Sequence, residues 1–194
     1  MSDDKPKVDS VFMLKGVRLS FPDLFVAKQY EGKGPFSYRC TVLVEPGSAN
    51  DKIVQAAIQK AATGKWEKKA QEILKTIVGQ SQKYCYIDGD TKAYDGYAGK
   101  MALSMSRPQE AGAPLVMDKN PEVKLSAEDG RIYGGCFVNI KCSVWAQDNK
   151  FGKGMRCTLI AVQFMADGES FGGAPPASAE GFETVEATEE EEFA

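Results

Sequence analysis

Histidine is absent from the 194 residues of this sequence, and no apolar run is long. Histidine is the commonest general base in enzymes and the usual partner of a serine or cysteine nucleophile, so its absence argues against those mechanisms. Every apolar run is shorter than the roughly 18 residues that a membrane helix requires. The first six residues also lack the basic and apolar regions of a signal peptide. We therefore expect a protein of a reducing cytoplasm.

The cysteines are few, and their spacing fits neither a disulfide framework nor a metal site. There are five, an odd number, and no two of them are spaced as C-x-x-C: Cys40, Cys85, Cys136, Cys142 and Cys157. Since no histidine can complete a ligand set, this pattern argues against both kinds of site. Most of these cysteines lie among apolar residues, where a free thiol behaves as a small hydrophobic group. We predict no metal and no cofactor.

Carboxylate chemistry has little support. The only close acidic pairs in the body of the chain are Asp88 with Asp90 and Glu128 with Asp129, and each adjoins a glycine. A glycine beside such a pair favours a turn over a catalytic site. Residues 152–154 (Gly-Lys-Gly) lack the rest of a P-loop and are better explained as a hairpin tip. The sequence predicts no enzymatic activity, and a metal-dependent nuclease is the weakest alternative.

Charge is divided unevenly along the chain. Residues 166–194 contain nine acidic residues and no lysine or arginine. The first 165 residues therefore contain 24 basic and 18 acidic residues, a net charge of +6. A positive body joined to a negative tail favours a polyanionic ligand and a built-in competitor for it. The alternative is a tail that only improves solubility.

Hydrophobic periodicity predicts a mainly β chain with a helical insert, an α+β fold. Between residues 50 and 78 the apolar spacing is helical, with a break at Thr63-Gly64 and an N-cap at Asn50 or Asp51. Glycine and proline predict loops at 22–37, 107–135 and 147–154. Alternation predicts strands at 11–21, 38–44 and 135–146, and further strands are predicted at 84–87, 101–106 and, as a long apolar run, 155–165. These strands fit an OB-like β-barrel, with a β-sandwich as the alternative.

Composition predicts three parts in this chain. Residues 1–9 are polar and flexible, and residues 10–166 form the OB-like domain. Residues 167–194 form a linker and a disordered acidic C-terminal tail, because glycine, proline and glutamate cannot support a core. The tail ends Glu189-Glu190-Glu191-Glu192-Phe193-Ala194.

Aromatic and basic residues alternate in several segments outside the strongest core strands. Rings that stack on bases, combined with cations that hold phosphates, are what sequence-independent binding of a single strand requires. The predicted stacking residues are Phe36, Tyr38, Tyr84, Tyr86, Tyr94, Tyr97, Trp145 and Phe151. The predicted phosphate contacts are Lys33, Arg39, Lys83, Lys92, Lys100, Arg107, Lys141, Lys153 and Arg156. The alternative is half-buried tyrosines beside ordinary surface lysines, with Trp145 closing one end of the barrel. Trp66, on an amphipathic helix, is predicted to be core.

Several motifs resemble one protein family. The most specific is Tyr133-Gly134-Gly135-Cys136, within the segment 132–139, and segments 17–22, 107–108, 114–118, 152–155 and 159–168 fit the same pattern. The sequence resembles the tailed-phage single-stranded-DNA-binding (ssDNA-binding) proteins, long catalogued as a domain of unknown function. This resemblance implies an OB-fold and cooperative, sequence-independent binding of single strands. The tail is similar to those of replicative ssDNA-binding proteins, and it departs from them by adding Ala194 after Phe193.

These observations predict an ssDNA-binding protein that coats and protects phage DNA replication or recombination intermediates in the host cell cytoplasm. The predicted partners are ssDNA, further copies of the chain on DNA, and phage or host replication or recombination proteins. Those proteins would bind the tail through Glu189, Glu190, Glu191, Glu192 and Phe193. Two alternatives remain open, a single-strand annealing protein of recombination and a virion or assembly protein that does not bind DNA.

Overall fold

A computed structural model describes residues 11–172. Seven strands and two helices follow one another in this part of the chain. The first five elements are β1 (Val11–Tyr30), β2 (Lys33–Val44), α1 (Ala49–Trp66), α2 (Ala70–Ile77) and β3 (Tyr86–Asp88). The remaining four are β4 (Met101–Pro108), β5 (Leu115–Met117), β6 (Phe137–Asn149) and β7 (Gly152–Ala166). None of the helices within residues 11–172 is long and apolar enough to cross a membrane.

Five of the strands close into a barrel. β1 pairs with β2 on one side and with β6 on the other, β6 pairs with β7, and β2 pairs with β4. The barrel closes where β4 meets β7 in parallel, with Ser106 opposite Thr158. The short strands β3 and β5 extend the sheet beside β4 and β7. This closure confirms the OB-like barrel with a helical insert.

The register places the two hairpin turns at opposite ends of β4. Ser37, near the start of β2, lies opposite Pro108 at the end of β4. Because β7 runs parallel to β4 from the Ser106–Thr158 pair, its first residue lies level with the beginning of β4. The outer face of β2 and β4 is therefore flanked by the β1–β2 turn at one end and the β6–β7 turn at the other.

The core fills the barrel and continues under the helices. α1 contributes Val54, Ile58, Ala62 and Trp66, and its length packs against β6. The burial predicted for Trp66 is confirmed, and its Nε1 donates to Asp148 Oδ2. All five cysteines are buried and free, as their apolar neighbours suggested. Burial raises the pKa of the Cys85 thiol to about 12, which keeps it protonated and unreactive.

The loop predicted for residues 22–37 is wrong. β1 runs to Tyr30 and β2 starts at Lys33, so this segment is most of a long hairpin. Register shifts between Ser20 and Lys28 accommodate the residues that break the alternation. The turn consists of Glu31 and Gly32 with φ of 49° and 70°, the type I′ geometry that matches strand twist. The loop predicted for 147–154 likewise shrinks to a two-residue turn.

The helix break also differs from the prediction. α1 continues through Thr63-Gly64 and ends at Trp66, where Glu67 has a φ of 50°. A glycine inside a helix costs only about 1 kcal/mol, and the buried face of α1 offsets this. The N-cap is Ser48, whose side chain accepts a hydrogen bond from the Asp51 N–H. The prediction of Asn50 or Asp51 as the cap is wrong.

The folded body extends beyond the boundary predicted at residue 166. Residues 167–172 pack on the barrel, and Phe171 contacts a small second core cluster formed by Leu43, Ile87, Tyr97 and Ala102. Glu189 to Phe193, and the flexible segment predicted for residues 1–9, lie outside the described residues.

Candidate nucleic-acid interface

Exposed aromatic rings and a fixed cation lie together on the β1–β2 hairpin. Tyr30 is 67% exposed and Phe36 is 47% exposed. The Arg39 guanidinium carbon lies 5.4 Å from the centroid of the Tyr30 ring. Its Nη2 donates to the Lys28 carbonyl at 2.9 Å and to Ser37 Oγ at 3.1 Å. These bonds hold the cation beside an exposed ring, which is how stacking and phosphate contacts are combined.

Small polar side chains continue this surface across β2 and β4. Arg39 lies opposite Ser106, and Thr41 lies opposite Ser104. The Thr41 and Ser104 hydroxyl oxygens are 3.2 Å apart, so a hydrogen bond joins the strands on the outer side. We call the surface formed by Tyr30, Arg39, Thr41 and Ser104 the hairpin face.

A second pair of exposed rings borders the hairpin face. Phe21 is 54% exposed and Tyr94 is 50% exposed, and their ring centroids are 4.9 Å apart in an edge-to-face arrangement. Phe21 has a φ of 48°, a conformation that costs a non-glycine residue on the order of 1–3 kcal/mol. Burial of the Phe21 ring does not explain this cost, because half of the ring is exposed. Strain of this kind is typical of ligand-binding positions. We call Phe21 and Tyr94 the stacking pair.

Two predicted stacking residues, Tyr86 and Tyr97, are core residues. Tyr86 is 4% exposed and Tyr97 is 3% exposed, so no ring face is open to a base. The Tyr97 hydroxyl donates to Ser20 Oγ at 3.1 Å. The Tyr86 hydroxyl donates to Asp51 Oδ1 at 2.7 Å. The stacking prediction is wrong for both, because each fills space between packed elements.

The Asp51 carboxylate that receives the Tyr86 hydroxyl is itself buried on α1. Burial alone would raise its pKa. Hydrogen bonds from the Gly47 N–H, the Gln55 amide and the Tyr86 hydroxyl outweigh that effect, so the Asp51 pKa lies below its ordinary value. Asp51 and Tyr86 thus form a satisfied polar contact inside the core, which stabilises the fold and does not expose a site.

Four other predicted stacking residues are spread over the barrel. Tyr38 and Tyr84 are half-buried against the core, and burial raises the pKa of Tyr84 to about 12. Trp145 is half-buried, and its Nε1 donates to Thr158 Oγ1 at 3.1 Å. Phe151 is 78% exposed at the β6–β7 turn, with the Lys150 ammonium 5.0 Å from its centroid. Their contacts with DNA remain predictions.

The predicted phosphate contacts have different surroundings. Arg107 donates to the carbonyls of Ala111 and Gly112, both at 2.7 Å, and so holds the loop after β4. Arg156 donates to the Gln82 carbonyl at 2.8 Å. The remaining seven residues are exposed or half-buried: Lys33, Arg39, Lys83, Lys92, Lys100, Lys141 and Lys153. Two of them form ion pairs, Lys100 with Glu45 and Lys153 with Asp148.

The structure brings only part of the predicted set together. Lys33, opposite Tyr30, and Arg39 lie on the hairpin face, and Tyr94 borders it. Phe36 is exposed on the same hairpin. A separate group surrounds the start of β7: Lys83, Tyr84, Trp145, Phe151, Lys153 and Arg156. Lys141 lies apart, on the outer side of β6.

Sequence reasoning did not select Tyr30 or Phe21. Tyr30 lies within a run of alternating basic and aromatic residues, so that signal was present. Phe21 sits at the end of an alternating strand and before a proline, a context that predicts core or loop equally well. Only its φ and exposure identify it.

The barrel geometry agrees with where OB-folds bind oligonucleotides. In that fold the face of the second and third strands and the flanking loops 1–2 and 4–5 form the binding surface. Here β2 and β4 are the second and third barrel strands, and the β1–β2 and β6–β7 turns are those loops. The described residues contain no group of three acidic or cysteine side chains that could hold a metal ion.

Known proteins resemble this chain over most of its length. A family model described as "Enterobacter phage Enc34, ssDNA-binding protein" matches residues 10–194. This chain belongs to that family. "Putative protein p50" of Acyrthosiphon pisum secondary endosymbiont phage 1 is 42% identical over 183 residues, which are 93% of this chain and 96% of that protein. The family predicted from the sequence motifs is confirmed.

Solved structures agree with this membership. The ssDNA-binding protein of bacteriophage Enc34, in complex with ssDNA, has a TM-score of 0.70 and 26% identity, over 85% of this chain and 91% of that one. The ssDNA-binding protein gp2.5 of bacteriophage T7 shares the fold, with a TM-score of 0.54 and 15% identity over 90% of this chain and 98% of that one. The family model and the Enc34 structure are both described as ssDNA-binding proteins, which agrees with the prediction of no enzymatic activity.

Proposed function

We propose that this chain binds ssDNA without sequence preference through the hairpin face and coats phage replication or recombination intermediates in the host cell. The observation that carries the proposal is Arg39 of β2 held beside the exposed Tyr30 ring. Tyr30 adjoins the β1–β2 turn, and OB-folds bind oligonucleotides with the second strand and this turn. Family membership supports the choice of a single strand as the ligand.

The chemistry of the hairpin face favours a single strand over a duplex. An unpaired strand exposes base faces and phosphates together, and rings beside cations bind both. Readers of duplex DNA place a helix or a two-stranded ribbon in the major groove instead. Thr41 and Ser104 keep the centre of the face flat, so bases and backbone can cross it between the rings.

A titration of labelled oligo-dT, repeated with a duplex of equal length, tests this proposal. Each phosphate contact on a single strand contributes about −0.7 to the slope of log K against log salt, so about five contacts would give a slope near −3.5. The duplex should bind far more weakly. Arg39→Ala should weaken binding and flatten the slope by about 0.7. Lys75→Ala, on the exposed side of α2, removes one cation elsewhere and should change neither.

Two results would overturn the proposal. One is oligo-dT binding that does not depend on salt, and the other is equal losses in the Arg39 and Lys75 variants. Failure to bind oligo-dT at all would favour the virion or assembly protein.

We also propose that the acidic tail competes with DNA and recruits replication or recombination proteins. The tail lies outside the described residues, and its charge supports the proposal, since seven glutamates lie between residues 180 and 192. A tethered segment reaches an effective concentration of the order of mM at its own body.

Replacing these seven glutamates with glutamine should tighten oligo-dT binding several-fold at low salt, as should ending the chain at Gly173. Phe193→Ala should reduce capture of such proteins and leave oligo-dT binding unchanged. If the wild-type chain and these tail variants bind oligo-dT with equal affinity, the tail does not compete with DNA and serves only solubility.

A further inference from the structure

The segment that leads into the tail is docked on the motif most specific to the family. The Tyr133 hydroxyl donates to Asp167 Oδ1 and accepts from the Gly168 N–H, both at 3.0 Å. The Phe171 N–H donates to the Gly134 carbonyl at 2.8 Å. We call residues 167–172 the latch.

Arg18 of β1 also contacts the latch. Its Nε donates to the Gly135 carbonyl at 3.1 Å, and its Nη2 donates to the Glu169 carbonyl. Its guanidinium carbon lies 4.3 Å from the centroid of the Phe171 ring. One arginine thus joins the barrel, the motif and the latch.

Two glycines form close-fitting contacts with the latch. A Cβ added at Gly135 would lie 2.0 Å from the Glu169 carbonyl oxygen. A Cβ added at Gly96 would lie 2.4 Å from the Phe171 ring. Real side chains do not approach so closely, so both positions need glycine for the latch to stay where it is.

The latch touches the loop that carries Tyr94. The Gly172 N–H donates to Asp95 Oδ2 at 2.9 Å, and the Phe171 ring lies against Gly96. Both contacts are within two residues of Tyr94. The Tyr94 ring itself contacts Phe21 and Tyr97, at 4.9 and 5.3 Å between centroids. The latch thus contacts the two residues that follow Tyr94 in the chain.

We propose that the latch positions Tyr94, and with it the stacking pair, for contact with bases, so that the root of the tail is part of the DNA-binding surface. This inference rests on the proposed function. Tyr94 and Phe21 would touch DNA, and Phe171 is a positioning residue. Gly172, the last described residue before the acidic tail, contacts Asp95 next to Tyr94.

Full-length variants with a matched control test the proposal. Gly96→Ala displaces the Phe171 ring. Gly99→Ala is the control, because Gly99 lies in the same loop with a φ of +70°, close to the +79° of Gly96. A Cβ at Gly99 meets nothing within 4 Å, so this variant has a similar backbone cost without the clash with Phe171. Since stacking one base contributes about 5- to 150-fold in affinity, Gly96→Ala and Phe171→Ala should weaken oligo-dT binding about fivefold or more. Gly99→Ala should change it less than twofold.

Hydrogen–deuterium exchange supplies a readout that does not need DNA. The amides of residues 89–100 should exchange faster in Phe171→Ala and Gly96→Ala than in Gly99→Ala, while those of β6 and β7 stay protected in all three. Unchanged exchange in this loop would overturn the positioning role, even if DNA binding fell.

A double-mutant cycle tests whether the latch acts through Tyr94. If it does, adding Phe171→Ala to Tyr94→Ala should cause little further loss of oligo-dT affinity. Losses that add in full would overturn the proposal, as would full affinity in the Phe171 variant. If the wild-type chain does not bind oligo-dT, the proposed function fails and the stacking role fails with it. Exchange in residues 89–100 then still reports whether the latch holds the loop.

Discussion

Tyr86 and Tyr94 are only eight residues apart, yet the first is 4% exposed and the second 50% exposed. Tyr86 lies on β3 and points at Asp51 of α1, which accepts its hydroxyl. Tyr94 lies in the following loop, where its ring meets Phe21 and Tyr97 and is otherwise open. The difference shows that the exposure of a tyrosine ring depends on the element packed against it and not on the basic residues near it in sequence.

The largest expected effect is loss of stability in Tyr86→Ala. Removing a buried aromatic ring costs about 3–5 kcal/mol, and this change also takes a hydrogen bond from the buried Asp51 carboxylate. Urea denaturation measures the loss. Tyr86→Phe keeps the ring and should cost about 1–3 kcal/mol, the penalty for an unpaired buried acceptor. A Tyr86→Ala variant as stable as the wild type would contradict the core assignment.

The counterpart, Tyr94→Ala, should act on binding instead. Loss of one stacked base costs about 1–3 kcal/mol of binding free energy. The melting temperature should change little, because half of the ring is already in solvent. Anisotropy with oligo-dT and a thermal melt on the same sample make the comparison. If Tyr94→Ala unfolds the protein while Tyr86→Ala does not, the two assignments are reversed.

The sequence predicted the barrel strands and helices wherever periodicity was strong. In β6, Val138, Ile140 and Val144 are fully buried, as the alternation indicated. It failed in residues 22–37, because glycine and proline are turn residues on average and cannot reveal that bulges absorb them within a long hairpin. Likewise, Thr63-Gly64 stays helical since tertiary burial outweighs propensity.

Much of the candidate site could not be predicted, for a physical reason. Whether a ring is open to a base depends on partners distant in sequence: Tyr86 is buried by a contact with Asp51, and Tyr97 by one with Ser20, 77 residues away. Composition indicated rings beside cations, and of the residues selected in this way Lys33 and Arg39 lie on the hairpin face and Tyr94 borders it. Composition could not reveal that the latch docks near Tyr94, because residues 167–172 have the composition of a linker.

Photo-cross-linking with identification of the linked peptides tests most directly whether DNA lies on the hairpin face and the stacking pair. Oligo-dT irradiated in complex with the full-length protein should become attached to peptides containing Tyr30, Phe36 or Tyr94. Peptides of the β6–β7 turn with Phe151 should be linked less, and those containing the buried Tyr86 not at all. Cross-links confined to Tyr84, Trp145 and Phe151, with none on the β1–β2 hairpin, would contradict the account.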